Sequence, residues 1–313
     1  MPDDQRLAAL RAAITARGWR IRPGKAIPYG EQLIVDDGAQ EATLDFYPKR
    51  GRTVVGGAEG PLRRSLTELA TATEQRFGGV AAPPPSRDPR PALPQAPEIG
   101  MDESGKGDWF GPLVVAAVYL EPAAATALLA AGARDSKELG ASALAATAAS
   151  VARILPAGAI EITVLDPADY NRRYAELGNI NLLLAELYAS TAARLVARTG
   201  AAPVVCDQFA QRAERLNTAF AQAGLPHPRQ LYHAEAVSLA VATASVLASA
   251  RFQEELARLG HAAGLGEPLP KGASAIGALR RAARQIIARE GPTGLGAYAK
   301  LNFKPVQELL SGD

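Results

Sequence analysis

Residues Ile99–Pro112 read IGMDESGKGDWFGP, and the unbroken apolar run Leu113–Leu120 follows directly. A short apolar stretch ending in Asp102 and Glu103, with a longer apolar run behind it, predicts two neighbouring strands joined by a polar turn. Two adjacent carboxylates both stay ionised readily only if they are exposed or share a cation. This stretch therefore predicts both the start of an α/β sheet and a cation site at its edge.

The turn between the two predicted strands carries glycines on either side of a lysine, Gly105-Lys106-Gly107. Glycine lets the backbone turn sharply and come close to a ligand, and a lysine between two glycines can steady a phosphate. The alternative is an ordinary polar turn, which is what most clusters of acids and glycines are. One such cluster alone does not decide between the two.

Two further acids favour the cation site. Asp207 ends the short apolar stretch 203–206, and the carboxyl end of such a strand is where open α/β sheets bind ligands. Glu235 begins a predicted helix over 234–259, where it is either a charge favoured by the helix dipole or a metal ligand. Carboxylates gathered without Cys or His select Mg²⁺ or Mn²⁺. A pair of ions roughly 3.5–4 Å apart can clamp both oxygens of a phosphoryl transfer, so the pattern predicts metal-assisted phosphodiester chemistry.

Seven of the 23 prolines fall in residues 83–97, PPPSRDPRPALPQAP, which predicts an extended linker between two domains. The N-terminal domain, 1–82, reads as helix, short antiparallel strands, helix, which is a small α+β unit. The C-terminal domain, 98–313, alternates apolar strands with long helices. A strand at 203–207 after the helix predicted over 181–199 implies a crossover and a parallel pairing.

The composition is that of an ordinary soluble protein, 48% hydrophobic and 21% charged with a net charge of +2. Residues 1–85 carry a net +2, which suits a polyanionic partner. Candidate phosphate contacts there, or simply a solvated surface, are Arg20, Arg22, Lys25, Lys49, Arg50 and Arg52. The single cysteine, Cys206, excludes an intramolecular disulfide and disfavours a Cys–His zinc cluster. Neither a signal core nor a membrane-length apolar run is evident, so we expect a cytoplasmic protein.

The motifs together resemble the signature of the type 2 ribonucleases H, most closely the ribonuclease HIII branch. The resemblance runs in order through residues 101–116, Asp135-Ser136-Lys137, 205–208, 234–235, 242–246, 270–274 and 299–304. It implies a ribonuclease-H-like α/β domain with a mixed central sheet, preceded by a small domain similar to the TATA-binding-protein fold. Tyr29-Gly30-Glu31-Gln32-Leu33 and the strands that follow look like that small domain.

The resemblance also implies an activity: an endonuclease that hydrolyses the RNA strand of RNA–DNA hybrids with two Mg²⁺ or Mn²⁺ ions. Products would carry 5′-phosphate and 3′-hydroxyl ends. The implied catalytic and metal-binding residues are Asp102, Glu103, Asp207 and Glu235. The implied substrate-binding residues are Ser104, Gly105, Lys106, Gly107, Ser136, Lys137 and Lys271. The glycine loop would read the ribose 2′-hydroxyl, which distinguishes RNA from DNA. We expect a monomer whose partner is the hybrid duplex, with no membrane.

Two details favour ribonuclease HIII over ribonuclease HII. The fourth acid is Glu235 where HII has Asp, and the Gly-Tyr-Gly piece of HII is absent. One departure is His233, where a lysine is expected, which puts a phosphate contact there in doubt. Two alternatives stay open: nicking at single ribonucleotides in DNA, as HII does, and a non-catalytic protein that only binds hybrids.

Overall fold

The computed structural model describes residues 2–27, 30–47, 52–57, 60–76, 91, 93–133, 139–209, 213–272 and 275–311. The chain divides into two compact units, 1–86 and 87–313. The point of division falls inside the proline-rich segment 83–97, of which 83–90 and 92 lie outside the described residues. The predicted domain boundaries at 82 and 98 therefore stay predictions.

Unit 1 is a four-stranded antiparallel sheet with two helices. The strands, in sheet order, are β1 (Arg20–Pro23), β2 (Glu31–Asp36), β3 (Glu41–Tyr47) and β4 (Arg52–Gly57), and the helices are α1 (Pro2–Thr15) and α2 (Pro61–Arg76). Alternate residues of β2 and β3, such as Leu33 and Leu44, are fully buried with Ile14 and Leu66 of the helices. One face of the sheet thus forms the core, as period-two patterning predicts, and the expected small α+β unit is confirmed.

Charged side chains on the strands of unit 1 pair with one another across the sheet. Arg20 forms an ion pair with Asp36 at 2.8 Å, and Arg22 forms one with Glu41. Lys49 and Arg50 lie outside the described residues, as does Tyr29 of the pentapeptide. Arg20 and Arg22 are therefore engaged with carboxylates, in addition to being exposed.

Unit 2 contains a five-stranded mixed sheet. Its strands are β5 (Glu98–Ser104), β6 (Leu113–Leu120), β7 (Ile160–Leu165), β8 (Val204–Asp207) and β9 (Arg229–Leu231), in the order β7-β6-β5-β8-β9. The pairs β7–β6 and β6–β5 are antiparallel, whereas β5–β8 and β8–β9 are parallel. The predicted mixed sheet and the parallel pairing of β8 are confirmed. The apolar run of β6 is buried on both faces, which explains why it does not alternate.

Helices cover both faces of this sheet. They are α3 (Pro122–Ala130), α4 (Ala141–Ile154), α5 (Pro167–Leu177), α6 (Ile180–Thr199), α7 (Glu214–Gln222), α8 (Ala234–Val237), α9 (Leu239–Ala262), α10 (Ile276–Gly294) and α11 (Lys304–Ser311). Helix α9 belongs to the core on one face and α6 to the core on the other. Gly100 of β5 allows α9 to approach, since a Cβ there would lie 2.1 Å from the carbonyl carbon of Ala240.

The single helix predicted over 234–259 is wrong, because the chain breaks at Ser238. Ser238 is extended, and its hydroxyl accepts a hydrogen bond from the Val241 amide and so caps α9. Glu235 consequently lies on the separate one-turn helix α8. The helix also continues past its predicted end at residue 259. Gly260 lies inside α9, where a Cβ would meet the Glu267 carbonyl oxygen at 2.1 Å.

In the described part of the chain, α6 alone has the length and apolar composition that a membrane span needs. The prediction that no apolar run is long enough to span a membrane is therefore wrong for α6. Residues Leu184 and Tyr188 of α6 are fully buried in the same core as Ile99 and Met101 of β5. Helix α6 is thus apolar because it covers the sheet.

Candidate active site

A cleft of about 430 Å³ opens where β5 and β8 end. Its lining residues are Asp102, Glu103, Ser104, Gly105, Lys106, Gly107, Asp108, Leu139, Leu144, Asp207, Ser245, Ser249, Phe252, Gln253 and Lys271. We call the four predicted acids, Asp102, Glu103, Asp207 and Glu235, the acidic cluster. Three of its members line the cleft.

Asp102 lies near the carboxyl end of β5, and Asp207 is the last residue of the neighbouring parallel strand β8. Met101 is in register with Cys206, so the residues that follow them lie side by side, at a strand spacing of roughly 4.8 Å. Asp102 accepts hydrogen bonds from the Ser245 hydroxyl and, at 2.9 Å, from the Glu103 amide. Asp207 accepts one from the Ala234 amide at 3.2 Å. The parallel pairing thus brings together two acids that are 105 residues apart in sequence.

The pKa of Asp102 is raised to about 8. Loss of solvent around the carboxyl group is the largest cause, and the charges of Glu103 and Glu235 add to it. Like charges raise one another's pKa only when they lie close together. Glu103 of β5 and Glu235 of α8 thus lie close enough to Asp102 for their charges to act on its carboxyl group.

Glu103 is held by a tyrosine and a lysine. The buried Tyr188 hydroxyl of α6 donates to Oε2 of Glu103, and Lys106 Nζ lies 3.7 Å from Oε1. Burial, followed by the charges of Glu103 and Asp102, raises the pKa of Tyr188 well above its usual value, so the phenol stays a donor. Lys106 also donates to the Phe209 carbonyl at 3.3 Å and lies 4.9 Å from the centre of its ring. Lys106 is thus anchored to protein groups.

Glu235 owes its position to the turn before α8. His233 has a φ of +53°, a left-handed conformation that few non-glycine residues adopt. The turn brings the Ala234 amide to Asp207 and places Glu235 in the first turn of α8. Glu235 is not among the described residues that line the cleft. It acts on the cleft electrostatically, because its charge raises the pKa of Asp102.

The acidic cluster suits a hard cation by its chemistry. Its donors are all carboxylate oxygens, which Mg²⁺ and Mn²⁺ prefer, and a cation would relieve the repulsion that raises the pKa of Asp102. Within the described residues, however, no three His, Cys, Asp or Glu side chains stand close enough to hold an ion. The carboxylate oxygens of Glu103, Asp102 and Asp207 instead accept hydrogen bonds, from the Tyr188 hydroxyl, the Ser245 hydroxyl and the Ala234 amide respectively. An ion would have to replace some of these hydrogen bonds.

The two glycines of the loop differ in their surroundings. Gly105 has a φ of +87°, and a Cβ there would lie 2.3 Å from the Pro112 carbonyl oxygen, so the fold itself requires this glycine. Gly107 is exposed and has open space where a Cβ would be. Only Gly107 therefore leaves the backbone free for a ligand to approach. Ser104, before the loop, lies in the cleft wall.

The predicted substrate-binding residues outside the segment 104–107 are only partly described. Lys271 is exposed and lines the cleft, and the next amide, that of Gly272, donates to Asp108 Oδ1 at 2.8 Å. Ser136 and Lys137 lie outside the described residues. Of these three residues, the structure therefore describes Lys271.

Sequence reasoning missed several lining residues. Ser245 and Ser249 are polar residues four apart in the otherwise apolar α9, which indicates one polar side of a buried helix. The sequence thus carried a signal for these two serines. Tyr188 gives no such signal, because its spacing on α6 is that of an ordinary core residue. Its role depends on a contact with Glu103, 85 residues earlier.

Comparisons with known proteins place these features in context. The profile of the family described as Ribonuclease HII matches residues 99–306. A Ribonuclease HIII from Protochlamydia amoebophila (strain UWE25) is 34% identical over 222 residues, 71% of each chain. A Ribonuclease HIII from Geobacillus kaustophilus (strain HTA426) is 36% identical over 217 residues, 68% of each chain.

Solved structures agree with the sequence matches. The crystal structure of Bst-RNase HIII in complex with Mn²⁺ has a TM-score of 0.63 and 27% identity, over 96% of this chain and 95% of the other. The RNase HII of Archaeoglobus fulgidus, solved with PCNA, has a TM-score of 0.55 and 25% identity and covers 66% of this chain. The likeness to the HIII structure thus includes residues of both units.

Proposed function

This chain belongs to the ribonuclease HIII branch of the type 2 ribonucleases H, endonucleases that degrade the RNA of RNA–DNA hybrids, and we propose that it does so in the cleft at the ends of β5 and β8. The observation that carries the proposal is the convergence of Asp102 and Asp207 on neighbouring parallel strands. The raised pKa of Asp102 supports it, because two further acids contribute to the shift.

Divalent metal dependence is general to this family, and one solved relative is a complex with Mn²⁺. We expect two Mg²⁺ or Mn²⁺ ions, held by the four carboxylates of the acidic cluster. When bound, such ions supply positive charge for the attacking and the leaving oxygen of an in-line displacement. Departure of the 3′-oxygen leaves 3′-hydroxyl and 5′-phosphate ends.

The protein's own groups orient the ligands and the substrate. Tyr188 fixes one oxygen of Glu103 by donating to it, which leaves the other oxygen toward Lys106. The open backbone at Gly107 can approach a ribose, and a main chain there suits recognition of the 2′-hydroxyl. Lys271 is exposed and lines the cleft, and we assign it to a contact with a backbone phosphate. Lys106 is anchored by Glu103 and Phe209, so we assign it mainly to holding the loop.

Beyond the active site, three further assignments complete the proposal. Unit 1 grips the hybrid, the enzyme acts as a monomer, and it works in the cytoplasm. The first is supported by the net charge of +2 on residues 1–85. The last is supported by the cysteine content, because a single cysteine, Cys206, allows no intramolecular disulfide.

The direct test is Asp102→Asn, assayed on a uniform RNA–DNA hybrid with Mg²⁺ or Mn²⁺. The amide keeps the size of the side chain but removes a charged ligand, so we expect cleavage to fall at least roughly a hundredfold. The matched control is Asp169→Asn, an exposed acid on α5 that pairs with Arg172, which should cleave like the parent. Near-parent cleavage by Asp102→Asn would show that the site is wrongly assigned.

The same assay separates the two alternatives. A duplex with one ribonucleotide tests nicking of the ribonuclease HII kind, and the missing Gly-Tyr-Gly piece predicts poor cleavage there. Binding of the hybrid without metal-dependent turnover by the parent protein would instead support a protein that only binds hybrids.

A further inference from the structure

Lys300 is a buried cation for which the proposed mechanism has no use. It lies in the segment between α10 and α11 and is 0% exposed. Its Nζ donates to the carbonyl oxygens of Gly111 at 2.7 Å and of Asp108 at 3.1 Å. A buried ammonium is costly unless hydrogen bonds compensate it. Both of these compensating acceptors belong to the loop that runs from the cleft to β6.

The backbone around Lys300 is tied to the same loop. The Lys300 amide donates to the Trp109 carbonyl at 2.7 Å, the Gly111 amide donates to the Tyr298 carbonyl at 2.9 Å, and Phe110 forms an antiparallel bridge with Ala299. Residues 298–300 thus lie alongside 109–111 as a short ladder. The ladder fixes the end of the loop and aims the lysine side chain back toward Asp108.

A second clamp holds the other side of this segment. The Asn171 side chain of α5 donates to the carbonyls of Gly296 and Ala299 at 3.0 and 2.9 Å and accepts from the Leu301 amide at 2.8 Å. The ring of Tyr170, also on α5, lies 5.5 Å from Lys300 Nζ. Lys300 therefore projects from a rigid base, and the hydrogen bonds that it makes constrain the loop.

Burial lowers the pKa of Lys300 to about 7, and the Asp108 carboxylate partly opposes the shift. An apolar side chain of similar length would avoid this desolvation cost, but it would leave the Asp108 and Gly111 carbonyls without this donor. Lys300 thus supplies the donor that these two carbonyls share, at the expense of burying an amine.

The loop residues that Lys300 holds, Asp108 and Gly111, belong to a segment that connects two walls of the cleft. Asp108 directly follows Gly107, and its side chain accepts from the amide next to Lys271. We propose that Lys300 is a positioning residue: by holding the Asp108 and Gly111 carbonyls it sets the spacing between the glycine loop and the Lys271 segment to fit the hybrid. This rests on the proposed function of the cleft.

The test is Lys300→Met, which keeps most of the side-chain length and removes the ammonium. With the hybrid as substrate, KM should rise roughly tenfold while kcat per folded molecule changes little. A loss of folding alone would lower the active fraction and leave KM unchanged. Exchange of the amides that donate across the ladder, those of residue 300 and Gly111, should also become faster. The control is Lys304→Met, an exposed lysine at the start of α11, with parent-like KM expected.

A second variant keeps the inference testable if Lys300→Met does not fold. Asp108→Ala, in the partly exposed loop, cuts the link to Gly272 and should raise KM in the same way. An unchanged KM in a folded Lys300→Met, or in Asp108→Ala if Lys300→Met does not fold, would overturn the positioning role. If the parent itself fails to cleave hybrids, the proposed function fails instead, so the two failures are distinguishable.

Discussion

The two sheets of this protein place their charges in opposite ways. On the sheet of unit 1, Arg20 pairs with Asp36 and Arg22 with Glu41, each cation opposite an anion. At the end of the sheet of unit 2, Asp102 and Asp207 lie side by side, and Glu103 and Glu235 raise the pKa of Asp102. Exposed pairs of the first kind contribute about 0–1 kcal/mol to stability. Gathered like charges oppose folding, so the second arrangement points to a function.

The largest expected difference comes from one substitution made in both sheets. Asp207→Asn should lower hybrid cleavage at least roughly a hundredfold with no loss of thermal stability, because it removes a metal ligand and a repulsive charge. Asp36→Asn should leave cleavage unchanged and reduce the free energy of unfolding by less than about 1 kcal/mol. Cleavage rates and thermal melts of the two variants check this. A large loss of stability with Asp207→Asn would mean that this acid is structural.

Tyr188→Phe gives a smaller effect at the same site. Removing the hydroxyl frees Glu103 from its donor, and loss of a group that orients a metal ligand typically costs about tenfold or more in metal affinity or activity. The Mn²⁺ concentration for half-maximal cleavage should therefore rise roughly tenfold. Tyr119→Phe, whose hydroxyl lies near Glu121 at the end of β6, is the control. Equal metal requirements in both variants would remove Tyr188 from the site.

Deleting residues 1–85 tests whether paired charges can also serve binding. If unit 1 grips the hybrid, KM should rise severalfold while kcat on saturating hybrid stays close to that of the full chain. The affinity should also depend less steeply on salt, by roughly 0.9 log unit per log unit of salt for each phosphate that unit 1 neutralises, the value for duplex DNA. Binding curves at several salt concentrations measure both quantities. Unchanged affinity and salt slope would mean that unit 1 has no part in holding substrate.

The smallest expected effect concerns the pH dependence of stability at Lys300. Its buried amine is hydrogen-bonded to backbone carbonyls, which is a third way in which this protein places a charge. Its pKa of about 7 in the folded chain lies below the ordinary 10.5, so between these values the unfolded state binds more protons. The free energy of unfolding should therefore rise with pH from about 7 toward 10, and the desolvation penalty is fully present below pH 7. Thermal melts of the parent and Lys300→Met across this range should show a steeper rise for the parent. Parallel curves would contradict the shift.

Much of this fold follows from local patterns, and its exceptions depend on distant contacts. The run at 113–120 is a strand as predicted, because a short apolar run that follows a turn fits a strand buried on both faces. The break at Ser238 was missed because it needs tertiary partners. Besides capping α9, the Ser238 hydroxyl donates to Glu98 of β5 at 2.8 Å, 140 residues away.

The same limit applies to the site. The acids and the glycine loop are recognisable as a set, because open α/β sheets bind ligands at the carboxyl ends of their strands and glycine lets a backbone come close to a ligand. Tyr188 and Lys300 are not, since they act through contacts between distant parts of the sequence. Tyr188 donates to Glu103, and Lys300 donates to the carbonyls of Asp108 and Gly111, and no sequence spacing encodes these contacts. Tyr188 in particular resembles any other core residue of α6 until its hydroxyl is located.

The measurement that tests the central claim most directly is calorimetric titration of Mn²⁺ into the parent protein and into Asp207→Asn, without substrate. If the acidic cluster holds the catalytic cation, the parent should bind Mn²⁺ and the variant at least roughly tenfold more weakly. Equal affinity in the two proteins would contradict the account, because the cation would then be held elsewhere.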